Sequence, residues 1–153
     1  MSPLESVLAK HPFFHDLEPR YLQLSSGCGA NVRFEADEYL FREGEEADQF
    51  YVIRHGKVRL EIAAPPREPL IIDTIEAGEV LGWSWLFPPY RWHFDAIASE
   101  LTRATALDGK CLRAKCEEDH DLGYELVKRF AHVVEARLQS TRIRLLDMYG
   151  PRA

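Results

Sequence analysis

With 153 residues, 46% of them apolar and 29% charged, the chain is read as one globular domain, large enough to bury a core without staples. No apolar run reaches the length of a bilayer span, and the N-terminus lacks the basic-then-apolar layout of a signal peptide, so a cytoplasmic location without a membrane partner is expected. The formal charge of −6 weighs against a sequence-independent grip on nucleic acid, which rests on Lys and Arg neutralising phosphates.

Residues 1–29 read as N-terminal helices. Leu4, Val7 and Leu8 share one face, Leu17, Tyr21 and Leu24 share another after the break at His11-Pro12, and Gly27-Cys28-Gly29 ends the segment. His11 and His15 flank a proline and are expected at the surface. Residues 30–108 carry short strands with turn punctuation: Val32 to Phe34, Glu38 to Arg42, a hairpin about Gly56, Leu70 to Ile75 after a Pro65–Pro69 loop, Phe94 to Ala98, and Leu101 to Leu107. Regular short strands of this kind indicate a sandwich or barrel, with a jelly roll as the expected form. In residues 109–150 the period changes. A short helix forms around Leu112, and from about Leu122 apolar residues recur at Leu126, Phe130, Val133, Val134, Leu138, Thr141, Leu145 and Met148. Steps of three and four mark a long amphipathic helix, stopped by Gly150-Pro151, whose stripe predicts a homodimer.

Cys28, Cys111 and Cys116 cannot all pair within the chain, and their spacing matches no zinc signature. Reduced thiols are the expectation. Cys116 and His120 are four apart, but two residues do not make a metal site, so no metal is expected.

The stretch Gly44-Glu45-Glu46-Ala47-Asp48-Gln49-Phe50-Tyr51-Val52-Ile53-Arg54-His55-Gly56-Lys57-Val58-Arg59-Leu60 joins a charged turn, an apolar strand, a glycine turn and an alternating strand. It closely resembles the first signature of the cyclic-nucleotide-binding domain, as in Crp/Fnr regulators and the regulatory subunits of protein kinase A. Glu76-Ala77-Gly78-Glu79-Val80-Leu81-Gly82 resembles the strand entering that family's phosphate-binding cassette. The resemblance implies a mainly β fold with helices: N-terminal helices, a β-roll, a short helix and a long C-terminal dimerisation helix. In such a site a short helix after a glycine offers backbone N–H groups to the cyclic phosphate, a Glu holds the ribose and an Arg pairs with the phosphate.

The chain departs from that pattern where the chemistry sits. Trp83 stands after Gly82 in place of the ribose-binding Glu, followed by Ser84-Trp85-Leu86-Phe87. An ungapped count puts the family's Arg-Ser/Thr pair on His93-Phe94, and Arg91 lies two positions earlier, where a shifted loop would bring it to the phosphate. Arg137-Leu138-Gln139-Ser140-Thr141 resembles the catabolite-activator segment whose Thr reaches the adenine, which makes Thr141 a candidate base contact and, alternatively, an interface residue. Leu145 to Arg152 resembles the hinge into a helix-turn-helix domain. The chain stops there, so no recognition helix and no DNA binding are expected.

The candidate ligand-binding residues are therefore Gly82, Trp83, Ser84, Trp85, Arg91, His93, Phe94 and Thr141. Three readings of the aromatic segment from Gly82 to Phe94 stay open. The rings plug the pocket. Or they stack on a ligand whose anion is held by Arg91 or His93, which would be a cyclic nucleotide or another small anionic or aromatic molecule. Or they dock a protein partner, with Pro88-Pro89-Tyr90 exposed. No nucleophile, paired-carboxylate, P-loop or dinucleotide motif is present, so no enzyme activity is expected. The sequence reading is a stand-alone sensor or regulatory module with weak or no cyclic AMP binding.

Overall fold

The computed structural model describes residues 2–150; Met1, Pro151, Arg152 and Ala153, and with them the end of the expected hinge, lie outside the described residues. Helix α1 (Pro3–Lys10) starts where the Ser2 hydroxyl accepts the Glu5 N–H, with Pro3 in the first turn. A 3-10 turn (Pro12–Phe14) and α2 (Pro19–Ser26) follow. The strands are β1 (Gly29–Phe34), β2 (Tyr39–Phe41), β3 (Gln49–His55), β4 (Lys57–Ala64), β5 (Arg67–Glu76), β6 (Val80–Leu81), β7 (Asp95–Ala98) and β8 (Thr102–Asp108). They form two four-stranded sheets of order β1-β8-β3-β6 and β2-β7-β4-β5, with antiparallel pairings.

The two faces of the first sheet serve different cores. Tyr51, Ile53, Ala104 and Ala106 face inward against Val58, Leu60, Ala96 and Ala98 of the second sheet. Phe50, Val52 and Leu107 alternate to the other face and meet Leu8, Phe13, Phe14, Leu122, Leu126 and Phe130 from the helices. The near-continuous apolar run of β3 is thus explained by burial on both sides. Gly56 turns the β3–β4 hairpin at φ +97°, and a Cβ there would collide with the Leu101 carbonyl oxygen. Strand β5 begins at Arg67, inside the stretch expected to be a proline loop. It is an edge strand, where Pro69 costs no central ladder bond.

Helix α3 (Gly109–Glu118) is capped by Asp108, whose carboxylate accepts the Cys111 N–H. Asp119 then caps α4 (His120–Tyr149) by accepting the Leu122 N–H. The cap at Asp119 also divides Cys116 from His120, which stand on different helices. Beyond Phe130, α4 stays on the roll through Arg137. Its guanidinium donates to Asp73 (2.8 Å) and Glu79 (2.6 Å), with Arg137 and Asp73 about five-sixths buried (side chains 16% and 14% exposed). No described helix is long and apolar enough to cross a membrane.

Two expectations are corrected here. Cys28 and Cys111 form a disulfide, leaving Cys116 as the free thiol. The β1–β8 ladder, with Gly29 opposite Leu107 and the Asp108 N–H donating to the Cys28 carbonyl, brings the two Cα atoms to 5.7 Å. His11 is buried rather than at the surface. Its Nδ1 accepts the Phe13 N–H and its Nε2–H donates to the Ile53 carbonyl at 3.0 Å, so the neutral ring satisfies both partners. Burial holds its pKa below the ordinary imidazole value, against the raising effect of the backbone bonds to Ile53 and Glu79. His15 is exposed as expected.

Candidate ligand pocket of the roll

Gly82 ends β6 at φ +99°, and the chain then makes a single 3-10 turn, Ser84–Leu86, with Trp83 at its head. The aromatic residues that follow divide between the two cores. Trp85 is fully buried on the helical side, stacked on Phe50 (centroids 5.0 Å, 17°) and edge-on to Phe130 (5.4 Å). Its carbonyl accepts from Arg113, and its indole N–H has no acceptor among the described residues. Trp83 packs half-buried against the same cluster.

Trp92 turns the other way, into the space between the sheets. It lies flat on Phe41, with centroids 3.7 Å apart and planes 7° from parallel. A Cβ at residue 82 would come within 2.6 Å of its ring. The loop is fixed by backbone bonds on either side: Trp92 N–H to the Glu45 carbonyl, Gly44 N–H to the Trp92 carbonyl, and Ala47 N–H to the Tyr90 carbonyl. Phe94 completes the group, 5.7 Å from Phe41.

A cavity of about 360 Å³ remains beside Trp92, and Glu45, Glu46, Asp48 and Tyr51 stand along it. Lys110 pairs with Glu46 (3.1 Å), and Glu45 accepts the Arg42 N–H. The buried Tyr51 hydroxyl has its pKa pushed up to about 12 by desolvation and by Asp48, so it stays protonated and donates to Gln49. These groups surround the opening with acceptors and carboxylates. An anionic phosphate is disfavoured in such surroundings.

The candidate residues do not converge on one point. Gly82 and Phe94 approach each other through Trp92 and Phe41, whereas Trp83 and Trp85 belong to the helical side and Ser84 is buried in the turn. Arg91 and His93 are exposed. Arg91 donates to the Gly44 carbonyl (3.4 Å) and bridges to Glu46 along the backbone. Thr141 is exposed too, its hydroxyl bonded to the Arg137 carbonyl of its own helix. Trp92 as the ring packed between the sheets, and Arg137 as the clamp on α4, were not singled out by sequence reasoning. The density of aromatics after Gly82 was the available signal for the first.

The family model of the cyclic nucleotide-binding domain matches residues 31–119, more than half of the chain. The chain belongs to that family. Among curated proteins it is similar to the CRP-like cAMP-activated global transcriptional regulator of Mycobacterium tuberculosis, 24% identical over 95% of this chain and 63% of the relative. It therefore spans less than two thirds of that protein's length. Among solved structures, a cyclic nucleotide-binding domain from Methylobacillus flagellatus superposes with a TM-score of 0.80 at 19% identity, covering 97% of this chain and 84% of that one. The catabolite activator protein of Thermus thermophilus gives a TM-score of 0.69 at 22% identity, over 88% and 61%. These likenesses establish the jelly-roll fold with its long C-terminal helix.

Proposed function

We propose that this chain is a homodimeric regulatory module of the family, without catalytic chemistry, whose roll binds cyclic AMP weakly or not at all. The observation that supports the reading is Trp92 packed on Phe41 and against Gly82, inside the roll between the two sheets. With Trp83 in the place of the acid and His93-Phe94 at the Arg-Ser/Thr register, the charge-assisted phosphate contact is also missing, a loss of about 1.5–3 kcal/mol. Together with the lost ribose carboxylate this lowers affinity by roughly two orders of magnitude or more. Thr141 remains a candidate contact of the dimer interface, and Arg91 the candidate replacement phosphate ligand should the loop rearrange. DNA contact is no part of the reading for this acidic segment, and a cytoplasmic location is retained.

Dimerisation is supported by the outer stripe of α4, where Val134, Leu138, Leu145 and Met148 are exposed. Two copies packed along that stripe would bury it in a self-complementary interface.

The test is thermal unfolding with cyclic AMP and cyclic GMP at about 1 mM. A ligand of micromolar affinity would then stand at about 1,000 times its Kd and stabilise the fold by about 4.1 kcal/mol. Weak binding at about 100 μM would add only about 1.4 kcal/mol, so at most a small rise in melting temperature is expected, and a rise equivalent to about 4 kcal/mol would overturn the reading.

A second reading, protein docking, is favoured by the exposed Phe87 beside Pro88-Pro89 and by the neighbouring cavity of about 500 Å³ between Tyr90, Arg113, Cys116, Tyr124 and Val127. Tyr90 is half-buried under the Arg113 guanidinium at 4.2 Å. A partner whose binding is lost on Phe87→Ala, with the melting temperature unchanged, would support it.

A further inference from the structure

The outer face of the first sheet carries basic side chains in register. Arg33 on β1 lies directly opposite Arg103 on β8, and His55 on β3 flanks Arg103 from the other side. Like charges facing each other across antiparallel strands are destabilising. The β3–β8 register shifts between Ile53 and His55, so Arg54 is an extra residue in a bulge at this point. Bulges of this kind re-aim side chains next to functional sites. Here Arg54, His55, Arg103 and Leu101 line one cavity of about 460 Å³.

Little in the chain balances this charge. Arg33 pairs with Glu35 at 2.7 Å in an exposed contact, which is worth little in water. Arg54 donates only to the neutral Asn31 Oδ1 (3.4 Å), an oxygen that also accepts from the Thr105 hydroxyl (3.0 Å). Among the described residues Arg54 and Arg103 form no ion pair with a carboxylate. A chain of formal charge −6 has thus concentrated unpaired guanidinium groups on one sheet face, at the lip of a cavity.

We propose that this face is an oxyanion site that takes a small phosphate-type anion of two or more charges. Guanidinium groups match phosphate oxygens with paired N–H donors. A bound dianion would turn the Arg33–Arg103 pairing from repulsive to attractive. The site lies on the face of the first sheet opposite to the roll interior, and it does not depend on whether the roll binds a nucleotide.

Pyrophosphate is the probe, titrated by calorimetry into the full chain at constant ionic strength. Saturable binding with a Kd below about 1 mM is expected. Arg103→Gln and Arg54→Gln should each weaken it at least tenfold, about one charge-assisted contact. Arg67→Gln, an equal charge change on β5, should leave it unchanged. Because Arg103→Gln relieves a like-charge pairing, its melting temperature should equal or exceed that of the wild type. Absence of saturable binding, or wild-type affinity in both arginine variants, would overturn the site. So would a fall of several degrees in Arg103→Gln, which would make that arginine a structural residue.

Discussion

The ring of Trp92 rests on that of Phe41 at 3.7 Å between centroids, and its far edge occupies the space that any side chain at residue 82 would need. Gly82→Ala therefore introduces both a clash and a left-handed β-carbon. A cost of about 1–3 kcal/mol is expected from overpacking, measured by urea unfolding. In a Trp92→Ala background the clash disappears and only the backbone strain persists, so the double-mutant cycle should show coupling of about 1 kcal/mol or more. Additive effects would place the two residues apart.

His11 makes stability depend on pH. Its folded-state pKa lies below the unfolded value, so the folded protein binds fewer protons and stability is fully present above about pH 6.5, the ordinary imidazole value. It falls as acid protonates the ring, because Nδ1 can then no longer accept the Phe13 N–H. The melting temperature should drop between neutral pH and about pH 5, and His11→Gln should flatten that part of the profile. An unchanged slope in the variant would assign the acid sensitivity to other groups.

The Cys28–Cys111 bridge closes a separation of 83 residues and ties the start of β1 to the first turn of α3. Cross-links over loops of this size typically add about 2–4 kcal/mol. Reductant should lower the urea midpoint of the wild type and leave a Cys28→Ser, Cys111→Ser variant unmoved. Equal midpoints with and without reductant would show that the bond contributes nothing to stability.

The dimer is tested at Leu138, 48% exposed on the outer stripe of α4. Leu138→Glu places charge in the proposed interface and should shift sedimentation from dimer to monomer without altering the roll. A wild type that sediments only as monomer at micromolar concentration would contradict the dimer.

The elements most legible in the sequence were those whose pattern is local. The apolar run Phe50–Ile53 and the Val58–Ile62 alternation on either side of Gly56 gave the β3–β4 hairpin, and the spacing from Leu122 to Met148 gave α4. What depended on partners distant in the chain was hidden. The disulfide follows from the β1–β8 ladder, which no neighbouring residue announces. The burial of His11 requires the Ile53 carbonyl, and the strand character of Arg67 to Pro69 requires an edge position beside β4. After Gly82, composition revealed the surplus of aromatics, and the resemblance to the family revealed the missing acid. Neither could say that Trp85 and Trp92 turn to opposite cores, because a shift of one residue reverses the facing of every side chain.

The proposed plug can be tested through the indole N–H resonances of Trp83, Trp85 and Trp92 in a two-dimensional nitrogen–proton spectrum during addition of cyclic AMP. With the roll closed, the Trp92 signal should hold its position up to about 1 mM nucleotide, the range of weak binding. A saturable Trp92 shift at micromolar cyclic AMP would contradict a roll filled by its own tryptophan.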